Sequence, residues 1–266
     1  MTPEQGALTL AGRVTELAND QALLDRVEAA RAAVAAREAG LSQDGLVEDP
    51  PEELQPFIAQ LQNHPAATGM FAEGWTVKIV DLRRVCSLQQ QVHAEQAAER
   101  VASVDPASLT SIAEVTLPTP AETPLPAQYD ETRNIWIISS GNPNLKIAGR
   151  FNGPVQPGVI GFGFLITVPA SHMQVARHHG RYVLRDGYHR AFGLLQRGID
   201  RAPAFVRDYG VGELGLGPGL FPTDVYLGER PPLLVDFLND DVAADVQLPV
   251  AQKMIVISGM ELSPIG

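Results

Sequence analysis

Five consecutive residues, Asp186-Gly187-Tyr188-His189-Arg190, put an acid, a glycine, an imidazole and a guanidinium at one corner of the chain. A strand-like run, Arg181–Leu184, leads into them, and a helix-like run over 188–197 leads out. A helix N-terminus has unpaired N–H groups and a partial positive charge. Gly187 lets a ligand oxygen come close to the backbone. Arg190 in the first turn can fork onto a phosphate or carboxylate, and His189 can donate a further hydrogen bond. Asp186 can cap the helix, orient Arg190 or act as a base. Residues 171–210 carry seven arginines and three aspartates, a basic stretch in a chain of formal charge −11. These features predict an anion site; a plain aspartate cap with a satisfied arginine is the competing reading.

Other motifs carry less chemistry. Residues 210–215, GVGELG, match G-x-G-x-x-G after a predicted strand, but LGPGLFP follows. Glycines and prolines there stop the helix that a dinucleotide site needs, so a loop is expected. No G-x-x-x-x-G-K-[ST] occurs. Four histidines fall within 172–189, yet His178 and His179 sit in a predicted hairpin turn and point to opposite faces, so no metal site is assigned. ISSG (138–141) lacks the nucleophile-elbow pattern. Cys86, the one cysteine, follows a strand with no adjacent base and reads as inert.

The acidic balance argues against a protein that coats duplex DNA. One cysteine allows no internal disulfide. The first residues lack a basic segment followed by an apolar run, and no apolar run reaches about 18 residues. A cytoplasmic protein is therefore expected.

The elements that must position the corner come from periodicity. Residues 3–40 predict helices, and residues 1–60 hold eleven acids against four bases. That acidic surface is a solvated face or a docking surface for a protein partner. A helix is expected from DPPEEL to about Gln62, a strand over 76–82 and a helix over 89–104. Four prolines within 117–128 exclude helix and central strand. Strands are then predicted over 134–140, 145–151, 158–168, 173–177, 181–185, 202–209 and 253–262, with a short helical stretch around 222–239. The fold class is α+β, a mixed sheet with packed helices.

Residues 182–206, YVLRDGYHRAFGLLQRGIDRAPAFV, resemble the core motif of the ParB/sulfiredoxin superfamily, in which a strand enters a G-x-[HR]-R corner followed by a helix, a glycine and a P-x-x-V strand. The matching positions are Gly187, His189, Arg190, Ala191, Gly198, Pro203 and Val206. MQVARHHG (173–180) resembles the preceding strand and turn. VKIVDLRRVCSLQQQV (77–92) resembles the opening strand, with Gln91 at the place of a family glutamine.

The resemblance implies a helical N-terminal extension over 1–73 and a ParB-like domain over 74–266 with an insertion around 106–170. It implies that Gly187, Tyr188, His189 and Arg190, with Gln91 and Arg177, grip a nucleotide or phosphorylated small molecule, with Mg2+ on a nucleoside triphosphate. Asp186 is the candidate catalytic residue, as a base or as an acid that orients the metal, for phosphoryl transfer or nucleotide hydrolysis. Tyr188 stands where sulfiredoxins carry their reactive cysteine. No helix-turn-helix pattern follows residue 210, unlike in partition proteins. The alternatives are an adaptor that docks a partner through its acidic helices, and a nuclease or single-stranded DNA binder, which the charge opposes.

Overall fold

The structure, a computed structural model, describes residues 21–119, 125–140, 144–214, 220–246 and 253–259. The helices expected before residue 21, residues 215–219 after the start of the glycine loop and the end of the last strand lie outside them. The fold is α+β. Two compact units form: one from the described residues up to Thr119 and from Ser171 to residue 246, the other from 125–170 and 253–259.

The first unit is built on a six-stranded mixed sheet in the order β1-β2-β10-β8-β9-β3. Its strands are β1 (Val47–Glu48), β2 (Thr76–Asp81), β3 (Cys86–Ser87), β8 (Gln174–His178), β9 (Arg181–Asp186) and β10 (Arg201–Gly210). Strand β10 pairs antiparallel with β2 and parallel with β8, and β8 pairs antiparallel with β9. The β8–β9 turn is His179-Gly180, both with positive φ (48° and 78°), the pair of conformations that a tight right-twisted hairpin demands.

Both faces of the central strands are buried. On one face Val80, Ala204 and Val206 join a core with Val183, Leu184, Ala191 and Leu194. The opposite face of the same strands, Val77, Ile79 and Phe205, meets Leu54, Ile58, Leu61 and Ala67. Those last four come from the 3-10 turn Glu52–Leu54 and from helices α2 (Gln55–Gln62) and α3 (Pro65–Ala72). The segment expected as a separate N-terminal extension is thus, from Leu54 onward, a layer on the sheet itself. The helix before it, α1 (Gln21–Ala35), buries only Val27.

Helix α4 (Ala94–Arg100) is much shorter than the 89–104 expected. The backbone before it is held by other bonds: Phe221 N–H donates to the Leu88 carbonyl (2.7 Å), and Gln89 bridges Leu220. Helix α5 (Leu109–Thr116), capped by the Ser108 hydroxyl, was expected to lie in an insertion. It belongs to the first unit, and its Thr116 carbonyl accepts from Met173 N–H ahead of β8.

The second unit contains β4 (Ala127–Asp130), β5 (Ile135–Ser140) and β11 (Lys253–Ser258), in the antiparallel order β11-β5-β4. A separate antiparallel ribbon joins β6 (Lys146–Gln156) to β7 (Val159–Thr167). The inserted segment and the last strand therefore fold together.

Helix α6 (Tyr188–Gln196) carries the corner. Gly198 (φ 72°) ends it: Ile199 N–H donates to the Leu194 carbonyl and Gly198 N–H to that of Leu195, a Schellman cap. Midway along α6, a Cβ on Gly193 would lie 2.6 Å from the Ala97 carbonyl oxygen of α4. Glycine here sets the closeness of the two helices. In an exposed helix Gly→Ala stabilises by about 1 kcal/mol. At this contact overpacking should win, and Gly193→Ala should lose about 1–3 kcal/mol. Urea denaturation measures this; a gain in stability would show that α4 and α6 can part freely.

Candidate functional site

The corner is shaped first by its glycine. Gly187 has φ 98°, and a Cβ there would lie 2.9 Å from the Met173 Cα, so both conformation and space require glycine. The Asp186 carboxylate spans the turn. Its Oδ1 accepts from Gly187 N–H (2.7 Å) and its Oδ2 from the Ser171 hydroxyl (2.9 Å). The Ser171 carbonyl in turn accepts from the Arg190 guanidinium. Ser171 thus ties the acid to the cation without a direct ion pair.

Arg190 is only 7% exposed. Among the described residues no carboxylate oxygen lies within 4.0 Å of its guanidinium. Burial and the nearby Arg100 pull it down to about 10, against a smaller pull upward from Asp186. A buried cation of this kind costs stability unless something negative joins it.

The other arginines of the basic stretch are already occupied. Arg177 pairs with Asp208 (3.1 Å), Arg201 with Glu48 and Arg207 with Glu73 (3.6 Å). Arg181 donates to the Tyr226 and Gly228 carbonyls, and Arg197 to those of Val101 and Val104 at the end of α4. Arg185 bonds Gln174 and the Leu214 carbonyl and lies over the Trp75 ring. The basic count of the sequence therefore overstates the local field. Of the seven, Arg190 is the one at the corner.

Two residues come from α4 and its cap. His93, the N-cap residue, stacks on His189 with ring centroids 5.6 Å apart and planes 10° apart. Arg100 ends the same helix. Burial first, then Arg100, His93 and Arg190, push His189 down to about 4. Its buried Nε2 has no hydrogen-bond partner, and neither has the Nε2 of His172. His172 is buried beside Phe205, donates to the Pro118 carbonyl, and is pushed down by burial and by Arg190.

The residues expected at the site divide. Asp186, Gly187, His189 and Arg190 stand together. Tyr188 is buried, and its hydroxyl is consumed by the backbone: it accepts from Leu88 N–H (2.8 Å) and Gln89 N–H (3.3 Å) and donates to the Leu184 carbonyl. Its phenol is pushed up by burial. Tyr188 therefore ties the segment after β3 to the corner and has no hydroxyl to offer a ligand. Gln91 is exposed between β3 and α4, and its neighbour His93 is what meets the corner. Arg177 faces Tyr182, whereas Asp186 lies opposite Gln174, three residues back along β8 and roughly 10 Å away. Ser171, His172, His93 and Arg100 were not singled out as site residues. One signal was available: Gly193 inside a strong helical pattern marks a close approach of another backbone.

Cys86 is fully buried, and burial pushes its thiol up to about 12. The turn histidines also have other partners: His178 Nδ1 lies 3.0 Å from the Tyr226 hydroxyl. Among the described residues no group of three or more His, Cys, Asp or Glu is arranged to hold a metal, and no helix is long and apolar enough to cross a membrane. Comparison with family models, curated proteins and solved structures finds no match to this chain.

Two outcomes follow from this geometry. Tyr188→Phe strands two amides and a carbonyl, so it should cost about 1–3 kcal/mol in urea denaturation. No loss would mean that water replaces the hydroxyl. Second, His189 and His172 resist protonation in the fold, so the unfolded chain binds protons first as pH falls. Stability should drop from the ordinary histidine value of 6.5 toward about 4. Urea midpoints across that range test this, and His189→Gln should flatten the slope. A midpoint that rises on acidification would contradict the cationic surroundings.

Proposed function

We propose that the Asp186–Arg190 corner binds the phosphate of a nucleotide or phosphorylated small molecule. The observation that carries this is Arg190, buried at 7% exposure and, among the described residues, with no carboxylate oxygen within 4.0 Å of its guanidinium. A phosphate supplies the missing charge. The first-turn amides of α6 have no intrahelical acceptors and face the same way as the helix N-terminus. Gly187, required by its positive φ and by the closeness of Met173, fixes the turn from which those amides emerge.

The ParB/sulfiredoxin-like reading of residues 182–206 agrees with this assignment. It adds a nucleoside triphosphate with Mg2+ as the ligand class, and phosphoryl transfer or hydrolysis as the chemistry. In that reading Arg190 and the amides stabilise charge on the transferred group. Asp186 keeps the corner in shape through Gly187 and Ser171, and its remaining lone pairs are available to a proton or a phosphate-bound cation.

Melting temperatures with CTP, ATP, ADP and GTP, each with and without Mg2+, test the assignment. A ligand at one hundred times its dissociation constant stabilises by about 2.7 kcal/mol. Arg190→Gln should lose the shift. Unliganded, that variant should be at least as stable as the wild type, because a buried cation has been removed. If no nucleotide or simple phosphate raises the wild-type melting temperature, the assignment fails.

A further inference from the structure

The corner places three positive or protonatable groups around His189 and leaves the ring's Nε2 without a partner. Arg190 comes from its own helix, and His93 and Arg100 come from α4 and its cap. His93 to Arg100 is seven residues, two helical turns, so both belong to the face of α4 that meets α6. The near-parallel stack of His93 on His189 adds a second imidazole to the same wall. Such a wall has two stable charge states. Empty, it leaves His189 without its proton, because burial first and then the neighbouring guanidiniums disfavour the charged ring. Filled by a doubly negative ligand, it gains from a proton, which adds one more donor against the anion.

We propose that this is a proton-coupled anion site: a phosphate dianion seated between Arg190 and Arg100 binds together with one proton, which His189 takes up. The inference rests on the phosphate assignment above and adds the charge state of the ligand and the acidity of the medium as controls on it. The proton comes from solvent, and no bond other than the new N–H is made or broken.

The charged groups around His189 are few. Arg100 and His93 face it from α4, and Arg190 from α6, with Asp186 beside Arg190. Glu95 and Glu99 of α4 and Glu114 of α5 are exposed. On the segments packed against the rest of α6, Asp236 is held by Arg37, Arg83 by Asp200, and Arg84 by the Ser42 and Asp44 carbonyls. The one carboxylate near the wall, Asp186, is already shared between Gly187 and Ser171.

Titration calorimetry of the full chain with sulfate tests the coupling. Sulfate stays dianionic across the range, so any proton taken up belongs to the protein. Buffers of different ionisation enthalpy count the protons. Uptake should be near zero at about pH 8 and approach about one at about pH 5.5, with affinity rising by up to about tenfold per pH unit in between. His189→Gln should bind sulfate without uptake and with an affinity that ignores pH. Should that variant fail to fold, the His189 imidazole is followed by NMR in the wild type, and sulfate should raise its pKa. Inorganic phosphate and a nucleoside triphosphate, compared at neutral pH, separate a free anion from a phosphate ester as the source. Wild-type binding without proton uptake, uptake that survives His189→Gln, or an imidazole pKa unmoved by sulfate would overturn the coupling and leave the phosphate assignment standing. Absence of binding by any of these anions would overturn both.

Discussion

The contact of Gly193 with the Ala97 carbonyl sets how near α4 and α6 can lie, and most of the corner follows from that distance. With the two backbones touching, His93 reaches His189 at one end of the interface. At the other end Arg197 reaches the carbonyls of Val101, the C-cap of α4, and of Val104 beyond it. Ala97, Val101, Ala191 and Leu194 are buried between and around these ends. A larger residue at position 193 would widen the gap and loosen the imidazole stack and the carbonyl cap together.

That packing collects charge at a cost. A buried guanidinium without a counter-ion and two imidazole nitrogens without partners are features that folding alone disfavours. They persist because the surrounding bonds over-determine them: Gly187 is locked by its conformation and by Met173, Asp186 by two donors, and Tyr188 by three backbone groups. Unpaired charge concentrated at one corner is what the phosphate proposed above would balance.

The local half of this arrangement was legible in the sequence. The strand ending at Asp186, the helix opening at Tyr188, the stop at Gly198 and the turn at His179-Gly180 each depend on a few neighbouring residues with strong conformational preferences. The non-local half was not. His93 and Arg100 lie about ninety residues from His189 along the chain, and only the Gly193 contact brings them together. Charge counting misled for a similar reason, since it cannot see that Arg181 and Arg197 are spent on carbonyls or that Arg185 lies over Trp75. Helix 89–104 was overextended because its first residue, Gln89, is helix-compatible but is claimed by Leu220 and the Tyr188 hydroxyl. The division into units was hidden because the last strand pairs with β5 from the inserted segment, a partner more than a hundred residues earlier.

Helix α4 is held at both ends, by the His189 stack at its N-cap and by Arg197 at the carbonyls of its C-cap Val101 and of Val104 just beyond. A rod clamped twice can change its side chains more readily than its length. Adding or deleting one residue between Ala94 and Arg100 turns one end by about 100° relative to the other. Either His93 would leave the wall or Arg197 would lose its carbonyls. In this short helix the number of residues between the two clamps is thus a tighter constraint than the identity of those, such as Glu95 and Glu99, that face solvent.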